Sequence, residues 1–494
     1  MISRSEPSPA TGTVRSLVPA RLDRLPWSRF HTRIIVALGV AWVLDGLEIT
    51  IAGAVGAVLQ RSDTLHLSST AVGFSATVYL IGEVAGALFF GRMSDRLGRR
   101  RLFIATLALY LVASGLTGLS PVYGVFLLFR FFAGMGIGGE YAAVNSAIDE
   151  LIPAANRGYA DLAVNGTYWL GAIIGALGSY VLLDPSLLPA NVGWRIAFLI
   201  GPLIGVAIWG LRRNLPESPR WLLTHGRAKE AEEAVARIER EIEASGVRLP
   251  PVDPDKTIEV RATGPVPFLR IAQVMFRQYR SRSILGASLM ISQSFLYNAI
   301  FFTYVLVLTH FYGVSPSAAP KFLLAFAVGN LLGPLTLGRL FDTLGRKRMI
   351  SGTYIVSGVL LAITGYLFQQ HLLNATTQTF LWSVIFFFAS SAASSAYLTV
   401  SEIFPLELRA QAIAFFFSIA QVFGAMGPLI FGALIGDQQH PDPNRLFLGY
   451  SLGAFIMIAG GVVEALIGVN AERTSLEDIA QPLSAVPRPV ATSQ

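Results

Sequence analysis

The amino-acid sequence predicts an all-α membrane protein with twelve transmembrane helices arranged as two pseudo-symmetric halves of six. The first observation behind this is composition, since the 494 residues are 53% hydrophobic and only 14% charged, with a mean hydropathy of +0.55. A soluble core could not bury so much apolar surface. The second is the repetition of long apolar runs. The third is a charged phrase that occurs twice, GRMSDRLGRRR at 91–101 and GRLFDTLGRKR at 338–348.

Apolar runs of about 20 residues, the length that crosses about 30 Å of hydrocarbon, occur twelve times along the chain. Because backbone polar groups in hydrocarbon must bond within their own segment, we expect helices; barrel strands would need alternating polarity, which the runs lack. The predicted spans are about 34–58, 70–91, 102–119, 123–148, 159–183 and 195–212, then about 283–308, 320–338, 349–368, 380–402, 410–435 and 446–468.

A polar stretch separates the two halves. Within it, residues 228–244 alternate Glu with Lys and Arg at helical spacing, which predicts a solvated helix packed under the membrane domain rather than a partner-binding site. Residues 1–20 and those after about Pro482 are rich in Ser, Pro and Ala and are predicted to be disordered. The expected units are an N-terminal tail (1–33), a first half (34–212), a linker (213–281), a second half (282–469) and a C-terminal tail (470–494).

Basic residues are distributed unevenly between the two sides of the membrane. Six Arg precede the first span, whereas the loops at about 119–123, 309–319 and 369–379 hold neither Lys nor Arg. By the positive-inside rule we expect both termini and the linker to be cytoplasmic, in a protein of the cytoplasmic (inner) membrane. The first 33 residues show no apolar run before a cleavage site, so we expect no removable signal peptide.

Further charged phrases recur at nearly the same offset in the two halves. ELIP at 150–153 followed by Arg157 matches EIFP at 402–405 followed by Arg409, and PESPR at 216–220 has a weaker echo in AERT at 471–474. With RFFAGMGIGGE at 130–140, this ordered set resembles the major facilitator superfamily over nearly the whole chain, and within it the sugar porters. The resemblance implies the major facilitator fold and a secondary transporter that binds its substrate between the halves and works by alternating access.

The charged loops suggest a gate. Carboxylates there can face Arg side chains or helix N-termini, and such contacts would close the cytoplasmic side and break when it opens. The gate residues that the resemblance implies are Asp95, Arg99, Glu150, Arg157, Glu217 and Arg220 in the first half, with Asp342, Arg346, Glu402, Arg409 and Glu472 in the second. The alternative is that these charges only retain the loops in the cytosol.

Placing an ionisable side chain in lipid costs free energy, so ionisable residues inside the spans indicate function. Asp45 and Glu48 are three residues apart in the first span and project from one face. Two carboxylates this close repel each other when both are ionised, which favours reversible proton uptake. Counting about 1.5 Å per residue from the outer ends places Glu48 about 16 Å deep and Arg130 about 10 Å deep, within reach of a long Arg side chain. In proton-linked sugar porters the matching residues couple protons to transport; the alternative is a static ion pair.

Polar and aromatic residues in the spans are candidates for a substrate site. Amides and rings together suit a polar organic molecule, although such residues also join membrane helices to each other. Glu140 is a possible second proton or substrate contact, or a carboxylate paired with a loop. The predicted substrate-binding residues are Glu140, Asn145, Asn165, Tyr168, Trp169, Gln293, Tyr297 and Asn298. Compared with sugar porters, the seventh span has Ser294 in place of a usual Gln, which weakens the assignment to sugars.

Enzymatic function finds little support. The chain has no Cys, no His pair at metal-ligand spacing and no P-loop phrase, so we expect no catalytic residue, metal or cofactor. GMGIGG at 134–139 superficially suggests a dinucleotide loop, but it lies inside a span and is predicted to be a packing motif. Basic residues concentrated on the cytoplasmic side explain the net charge of +7, so we expect no nucleic-acid partner.

The expected function is proton-coupled symport of a small organic or aromatic acid or sugar-like metabolite by a monomer. The alternatives are an exporter or uniporter of the same fold, or a non-transporting sensor.

Overall fold

Twelve long helices form the body of the part of the chain that the structure describes. The computed structural model describes residues 13–67, 69–184, 186–212, 216–261, 268–314, 319–435 and 442–484. The first half contains α1 (Arg29–Leu59), α2 (Ser69–Leu97), α3 (Arg99–Gly118), α4 (Tyr123–Leu151), α5 (Arg157–Leu182) and α6 (Ala190–Arg212). The second half contains α7 (Arg280–Tyr312), α8 (Ala319–Thr343), α9 (Arg346–Gln369), α10 (Ala375–Glu402), α11 (Arg409–Ile435) and α12 (Pro443–Ile467).

Each predicted span coincides with one of these helices, and the predicted all-α membrane architecture is confirmed. Within the described residues, 10 helices are long and apolar enough to cross a membrane, namely α1 to α4 and α7 to α12. The shorter apolar stretch of α6 is Ala190–Val206. Helix α5 begins with Arg157 and carries Asp161 and Asn165 in its first turns, which lowers its mean hydropathy.

Glycine permits the closest helix crossings in both halves. A Cβ atom at Gly134 or Gly138 of α4 would collide with the backbone of α2 at Tyr79 and Glu83. In the second half, a Cβ atom at Gly333 of α8 would collide with the α10 backbone. Small residues let membrane helices approach this closely, so the glycine-rich phrase at 134–139 packs helices, as the sequence predicts.

The repeated charged phrase contains the turn that joins two helices in each half. Gly98 lies between α2 and α3 with φ +91°, and Gly345 precedes α9 with φ +108°. These backbone angles favour glycine because a side chain would be strained there. The turn lets the Arg that follows each glycine begin the next helix, and its backbone N–H can then donate to a carboxylate.

The linker and the N-terminal segment fold together at one end of the helix bundle, here called the linker face. Strand β1 (Thr13–Ser16) pairs antiparallel with β2 (Ile258–Arg261), and a short helix follows at Val18–Asp23. The linker helix Ala228–Ala244 has the predicted bounds and buries Val235 and Ile238 against this segment.

Ion pairs also fix the N-terminal segment to the linker helix. Arg24 bonds Glu239 at 2.6 Å, and Arg21 pairs with Glu232 and Glu239. The prediction that residues 1–20 are disordered is therefore wrong for 13–20, because partners distant in sequence order them. Residues 1–12 and 485–494, also predicted to be disordered, lie outside the described residues.

Candidate functional site

A buried ion pair joins α1 to α4. The Arg130 Nη1 atom donates to Glu48 Oε1 at 2.5 Å, and both side chains are almost fully buried. The other oxygen, Oε2, accepts from Ser114 Oγ at 2.7 Å and from the Tyr110 hydroxyl at 3.3 Å. The guanidinium carbon of Arg130 also lies 4.1 Å from the centre of the Tyr79 ring. The cation, the hydroxyls and the ring together compensate the burial of this carboxylate.

Asp45 has hydrogen-bond donors that differ from those of Glu48. Its Oδ1 accepts from the Tyr79 hydroxyl at 3.2 Å, and its Oδ2 accepts from the Tyr141 hydroxyl. Tyr79 therefore connects the two acids, since its hydroxyl bonds Asp45 while its ring stacks under Arg130. The three residues that the sequence singles out form one buried network, but Asp45 lies beside tyrosines rather than beside the cation.

A central cavity of about 170 Å³ lies between the two halves. Seven helices line it: α1, α2, α4 and α5 of the first half and α7, α10 and α11 of the second. The lining residues are Trp42, Ile49, Leu80, Glu83, Tyr141, Asn165, Tyr168, Trp169, Gln293, Ser294, Tyr297, Asn298, Phe301, Ser390, Ala393, Ser394, Tyr397, Phe417 and Gln421. Aromatic rings, amides and hydroxyls thus surround the cavity, and Tyr141 connects its wall directly to Asp45.

Six of the eight predicted substrate residues line this cavity: Asn165, Tyr168, Trp169, Gln293, Tyr297 and Asn298. The structure does not place the other two there. Glu140 lies with Asp45 at a void of about 10 Å³ between α1 and α4. The Asn145 amide nitrogen donates to the Tyr141 carbonyl at 2.8 Å, and its amide oxygen accepts from Asn165 at 3.4 Å. Successive side chains on an α-helix point about 100° apart, so Tyr141 faces the cavity and its neighbour Glu140 does not.

The sequence interpretation missed the acid in the cavity wall, Glu83 of α2. Its side chain is 1% exposed, and Oε2 accepts from the Gln421 amide of the second half at 3.2 Å. The signal was available, because Glu83 is an ionisable residue inside a predicted span, the same feature that selects Glu48. Gln421 is likewise a polar amide in the middle of the apolar eleventh span.

At the linker face, the two halves contain equivalent charge clusters. In the first, Arg99 Nη2 bonds Glu150 Oε1 at 2.8 Å and its backbone N–H donates to Glu217 at 2.9 Å. In the second, Arg346 bonds Glu402 at 3.1 Å and Asp342 at 2.7 Å, and its backbone N–H donates to Glu472 at 3.2 Å. Gly98 and Gly345 permit both arrangements, because a Cβ atom there would contact Glu217 or Glu472.

Further bonds at the linker face connect one half to the other. The Asp342 carboxylate of α8 accepts from the backbone N–H groups of Gly158 and Tyr159, at 3.1 and 2.8 Å, at the start of α5. Arg157 bonds Glu402 at 3.3 Å. Because a carboxylate at a helix N-terminus interacts favourably with the helix dipole, Asp342 holds α5 against α8. We call all these bonded charges together the linker-face cluster.

Arg409 and Arg220 complete the cluster. Arg409 lies 3.9 Å from both Asp149 and Glu150 across the interface between the halves. Arg220 bonds Asp23 at 2.8 Å and Glu477 at 2.9 Å, and thereby joins both terminal segments to the linker. The sequence interpretation missed Asp23, Asp149 and Glu477, which are not part of the repeated phrases. Ten of the eleven predicted gate residues meet here; the side chain of the eleventh, Asp95, lies outside the described residues.

Burial shifts the ionisation of the linker residues in this cluster. It raises the pKa of Glu217, against the opposing effect of the backbone N–H groups of Ser218 and Arg99. Burial alone would lower the pKa of Arg220, but the carboxylates of Asp23 and Glu477 raise it above its usual value. Arg220 therefore remains a cation between two carboxylates.

Comparisons with known proteins agree with this architecture. The sequence profile of the family described as "Sugar (and other) transporter" matches residues 44–471. The niacin transporter NiaP of Acinetobacter baylyi is 28% identical over 466 residues, covering 93% of this chain and 99% of that protein. The putative metabolite transport protein YdjK of Escherichia coli is 29% identical over 473 residues, covering 93% and 96%.

The fold is also shared with a solved structure, the proton:xylose symporter XylE of the major facilitator superfamily bound to 6-bromo-6-deoxy-D-glucose. The TM-score is 0.73 at 18% identity, and the match covers 91% of this chain and 98% of the XylE chain. The chain has the major facilitator fold, belongs to the sugar transporter family and is a membrane transporter, not an enzyme.

Proposed function

We propose that the protein imports a small aromatic carboxylic acid together with protons across the cytoplasmic membrane. The observation that carries the proposal is the position of the central cavity. It lies between the halves, with Tyr141 in its wall bonded to Asp45. Asp45 is in turn connected through Tyr79 to the Glu48–Arg130 pair. A substrate site thus lies beside buried carboxylates that can take up and release protons.

The cavity suits one aromatic ring with a polar substituent. An engineered cavity of about 150 Å³ in another protein holds a benzene molecule, and this cavity measures about 170 Å³. Eight of its nineteen lining residues are aromatic, and amides and serines supply hydrogen bonds. The relative NiaP is named as a transporter of niacin, a pyridine ring with one carboxylate. This lining favours such an acid over a sugar, whose many hydroxyls would require more polar partners.

The geometry of the ion pair supports proton coupling through Glu48. An ionised Glu48 holds Arg130 at 2.5 Å and thereby joins α1 to α4. Protonation removes the charge on Glu48 and weakens this bond, which permits the two helices to shift. Asp45 lies on the path from Glu48 to the cavity and communicates the change through the Tyr79 and Tyr141 hydroxyls.

Alternating access requires a gate that opens and closes on each side. The linker-face cluster, with its bonds between the halves, supports closure at the cytoplasmic end when the linker and termini face the cytoplasm. One chain contains both halves and the complete cavity, so we expect the monomer to be the working unit.

The test is uptake of radiolabelled nicotinate into proteoliposomes with an imposed pH gradient, alkaline inside. One pH unit corresponds to about 1.4 kcal/mol, so one-to-one symport should give about tenfold accumulation in the wild type. Glu48→Gln should retain counterflow but lose accumulation, because the amide can still accept from Arg130 but cannot be ionised. Glu230→Gln, on the exposed face of the linker helix, is the matched control and should accumulate nicotinate like the wild type.

Two results would contradict symport through Glu48. One is accumulation that persists in Glu48→Gln. The other is a wild type that equilibrates nicotinate without concentrating it, which indicates a uniporter. Uptake driven only by the opposite pH gradient would indicate a proton-linked exporter.

A further inference from the structure

We propose that Glu83 is the substrate-contacting proton carrier: its protonated carboxyl donates from Oε1 to the carboxylate of the aromatic acid in the central cavity. This inference rests on the proposed function, because it assumes that the substrate is an anion imported with protons. It assigns to Glu83 a role distinct from that of the Glu48–Arg130 pair, which joins helices rather than contacting the substrate.

The position of Glu83 in the cavity wall is the first support. Among the described residues that line the cavity, Glu83 is the only Asp, Glu, Lys or Arg. Its Oε2 atom accepts from Gln421, whereas Oε1 is buried without a hydrogen-bond partner among the described residues. Buried polar atoms are nearly always bonded, so this carboxyl oxygen is available to bond a ligand in the cavity.

The charges around Glu83 give the second support. The titratable groups that face it are Asp45 on α1, Tyr79 on α2, Arg130 and Tyr141 on α4, Tyr168 on α5 and Tyr397 on α10. Arg130 is the cation of this set, and its guanidinium is bonded to Glu48. The Tyr79 hydroxyl donates to Asp45, and α11 contributes only the neutral Gln421. Glu83 therefore lacks a bonded cation, and its environment disfavours a carboxylate ion.

This environment favours the protonated form of Glu83 when the substrate binds. An uncompensated charge within a membrane is unfavourable, so the neutral carboxyl is the favoured state of Glu83 in this cavity wall. A protonated carboxyl has one O–H donor, which it can direct from Oε1 to a substrate carboxylate. The resulting bond between a carboxylic acid and a carboxylate is charge-assisted and strong. The anion thus enters with one proton, and the pair adds no net charge to the cavity.

Loss of the proton to the cytoplasm then releases the substrate. The proton passes from the Glu83 carboxyl to water, which leaves two carboxylates facing each other, and like charges at this distance repel. Gln421 belongs to the second half, so the charge on Glu83 also acts on a contact between the halves. The same residue therefore couples proton release, substrate release and the relative position of α2 and α11.

The experiment measures the number of protons taken up when nicotinate binds to the purified protein. Titration calorimetry in buffers with different ionisation enthalpies gives this number, and repeating it over pH gives the change in Kd. At pH values high enough to ionise Glu83 in the unliganded wild type, nicotinate binding should take up about one proton and weaken about tenfold per pH unit; at lower pH, where Glu83 is already protonated, both effects should vanish. Glu83→Gln, whose amide can still donate, should bind nicotinate with proton uptake near zero and a Kd that does not depend on pH.

Two control variants separate Glu83 from other buried acids. Glu464→Gln changes a buried glutamate of α12 outside the cavity lining and should bind nicotinate like the wild type. Glu48→Gln leaves the cavity wall intact and tests whether the proton taken up on nicotinate binding depends on the ion pair; loss of that proton in Glu48→Gln would assign it to Glu48 and contradict the role of Glu83.

Each outcome decides between the proposals. A wild type that binds neither nicotinate nor benzoate contradicts the proposed function, and the role of Glu83 fails with it. If the wild type accumulates nicotinate with protons but Glu83→Gln retains the pH dependence of Kd, only the role of Glu83 fails. If Glu83→Gln abolishes nicotinate binding while the wild type prefers the N-methylnicotinamide cation, Glu83 acts as an ionised counterion, and the inference is overturned.

Discussion

At the scale of single residues, Arg130 is buried and held by two kinds of contact. It bonds the Glu48 carboxylate at 2.5 Å, stacks over the Tyr79 ring at 4.1 Å and is 2% exposed. Lys could supply the charge but not the planar group that stacks and bonds at the same time. The pair therefore depends on the shape of Arg130 as well as on its charge.

Removal of Arg130 alone should be more damaging than removal of the whole pair. In Arg130→Met, Glu48 keeps only the Ser114 and Tyr110 hydroxyls, and an uncompensated buried charge costs about 3–5 kcal/mol. The double variant Glu48→Gln/Arg130→Met should regain most of that loss, measured as melting temperature in detergent. Arg61→Met, in an exposed pair with Asp63, is the matched control and should leave the melting temperature nearly unchanged. Additive losses in the double variant would show that the pair is not a unit.

The buried charges could be predicted from the sequence more fully than the helix faces that line the cavity. Glu48 and Arg130 could be paired in advance because their depths follow from counting residues along two predicted helices. Glu83 satisfied the same criterion and could have been found by applying it to every span. The cavity-facing side of α4 could not be predicted in this way, because the residues around Glu140 are mostly apolar and no polar stripe marks one face of the helix.

At the scale of secondary-structure elements, the repeated glycine–arginine phrase is a helix-joining turn with a defined carboxylate partner. Gly98 has φ +91°, and the next residue donates its backbone N–H to Glu217 at 2.9 Å. Gly345 has the same role, with Glu472 as the acceptor at 3.2 Å. The glycine and the acid thus operate together, although more than 100 residues separate them.

Gly98→Ala should disturb this turn in two ways. The new Cβ would adopt a strained backbone conformation and would also contact the Glu217 carboxylate. We expect a loss of about 1–3 kcal/mol, seen as a lower melting temperature in detergent. Gly352→Ala is the matched control, because a Cβ there meets no atom within 4 Å and Ala favours helix, so it should be neutral or stabilising. A Gly98→Ala variant that melts like the wild type would exclude the strained turn.

The helices were predictable from the sequence, whereas the ordered N-terminal segment was not. Long apolar runs force helix formation in lipid regardless of partners, so each predicted span coincides with a helix. Residues 13–20 are rich in polar and small side chains, and their order depends on β2 and on Glu232 and Glu239 of the linker helix. A local pattern cannot show contacts of this kind, because the partners lie more than 200 residues away.

At the scale of the whole molecule, the two halves are alike at the linker face and unlike at the centre. Both halves repeat the Arg–Glu bond after the helix-joining turn. The central charges Asp45, Glu48 and Glu83 belong to the first half, whereas the second half contributes amides, hydroxyls and rings to the cavity. In the proposed mechanism, the equivalent charge clusters of the two halves close the linker face, whereas the central acids of the first half and the cavity lining bind protons and substrate.

Asp342→Asn should loosen closure at the linker face without entering the cavity. The Asp342 carboxylate uses both oxygens to bind the start of α5, and an amide has only one acceptor oxygen. The chain has no Cys, so a single Ser390→Cys substitution in the cavity wall reports access from either side. In inside-out vesicles, a membrane-impermeant maleimide should label this cysteine several-fold faster when Asp342→Asn is also present.

The matched control for this labelling is Asp63→Asn, which changes an exposed ion pair at the opposite end of the bundle. It should leave the labelling rate unchanged. If Asp342→Asn also leaves the rate unchanged, the bonds between Asp342 and α5 do not contribute to closure. Faster labelling from both faces would instead indicate general loosening of the bundle. Faster labelling from the linker face alone, with slower labelling from the other, would show that Asp342 biases the protein toward one of its two conformations, because opening one side then closes the other.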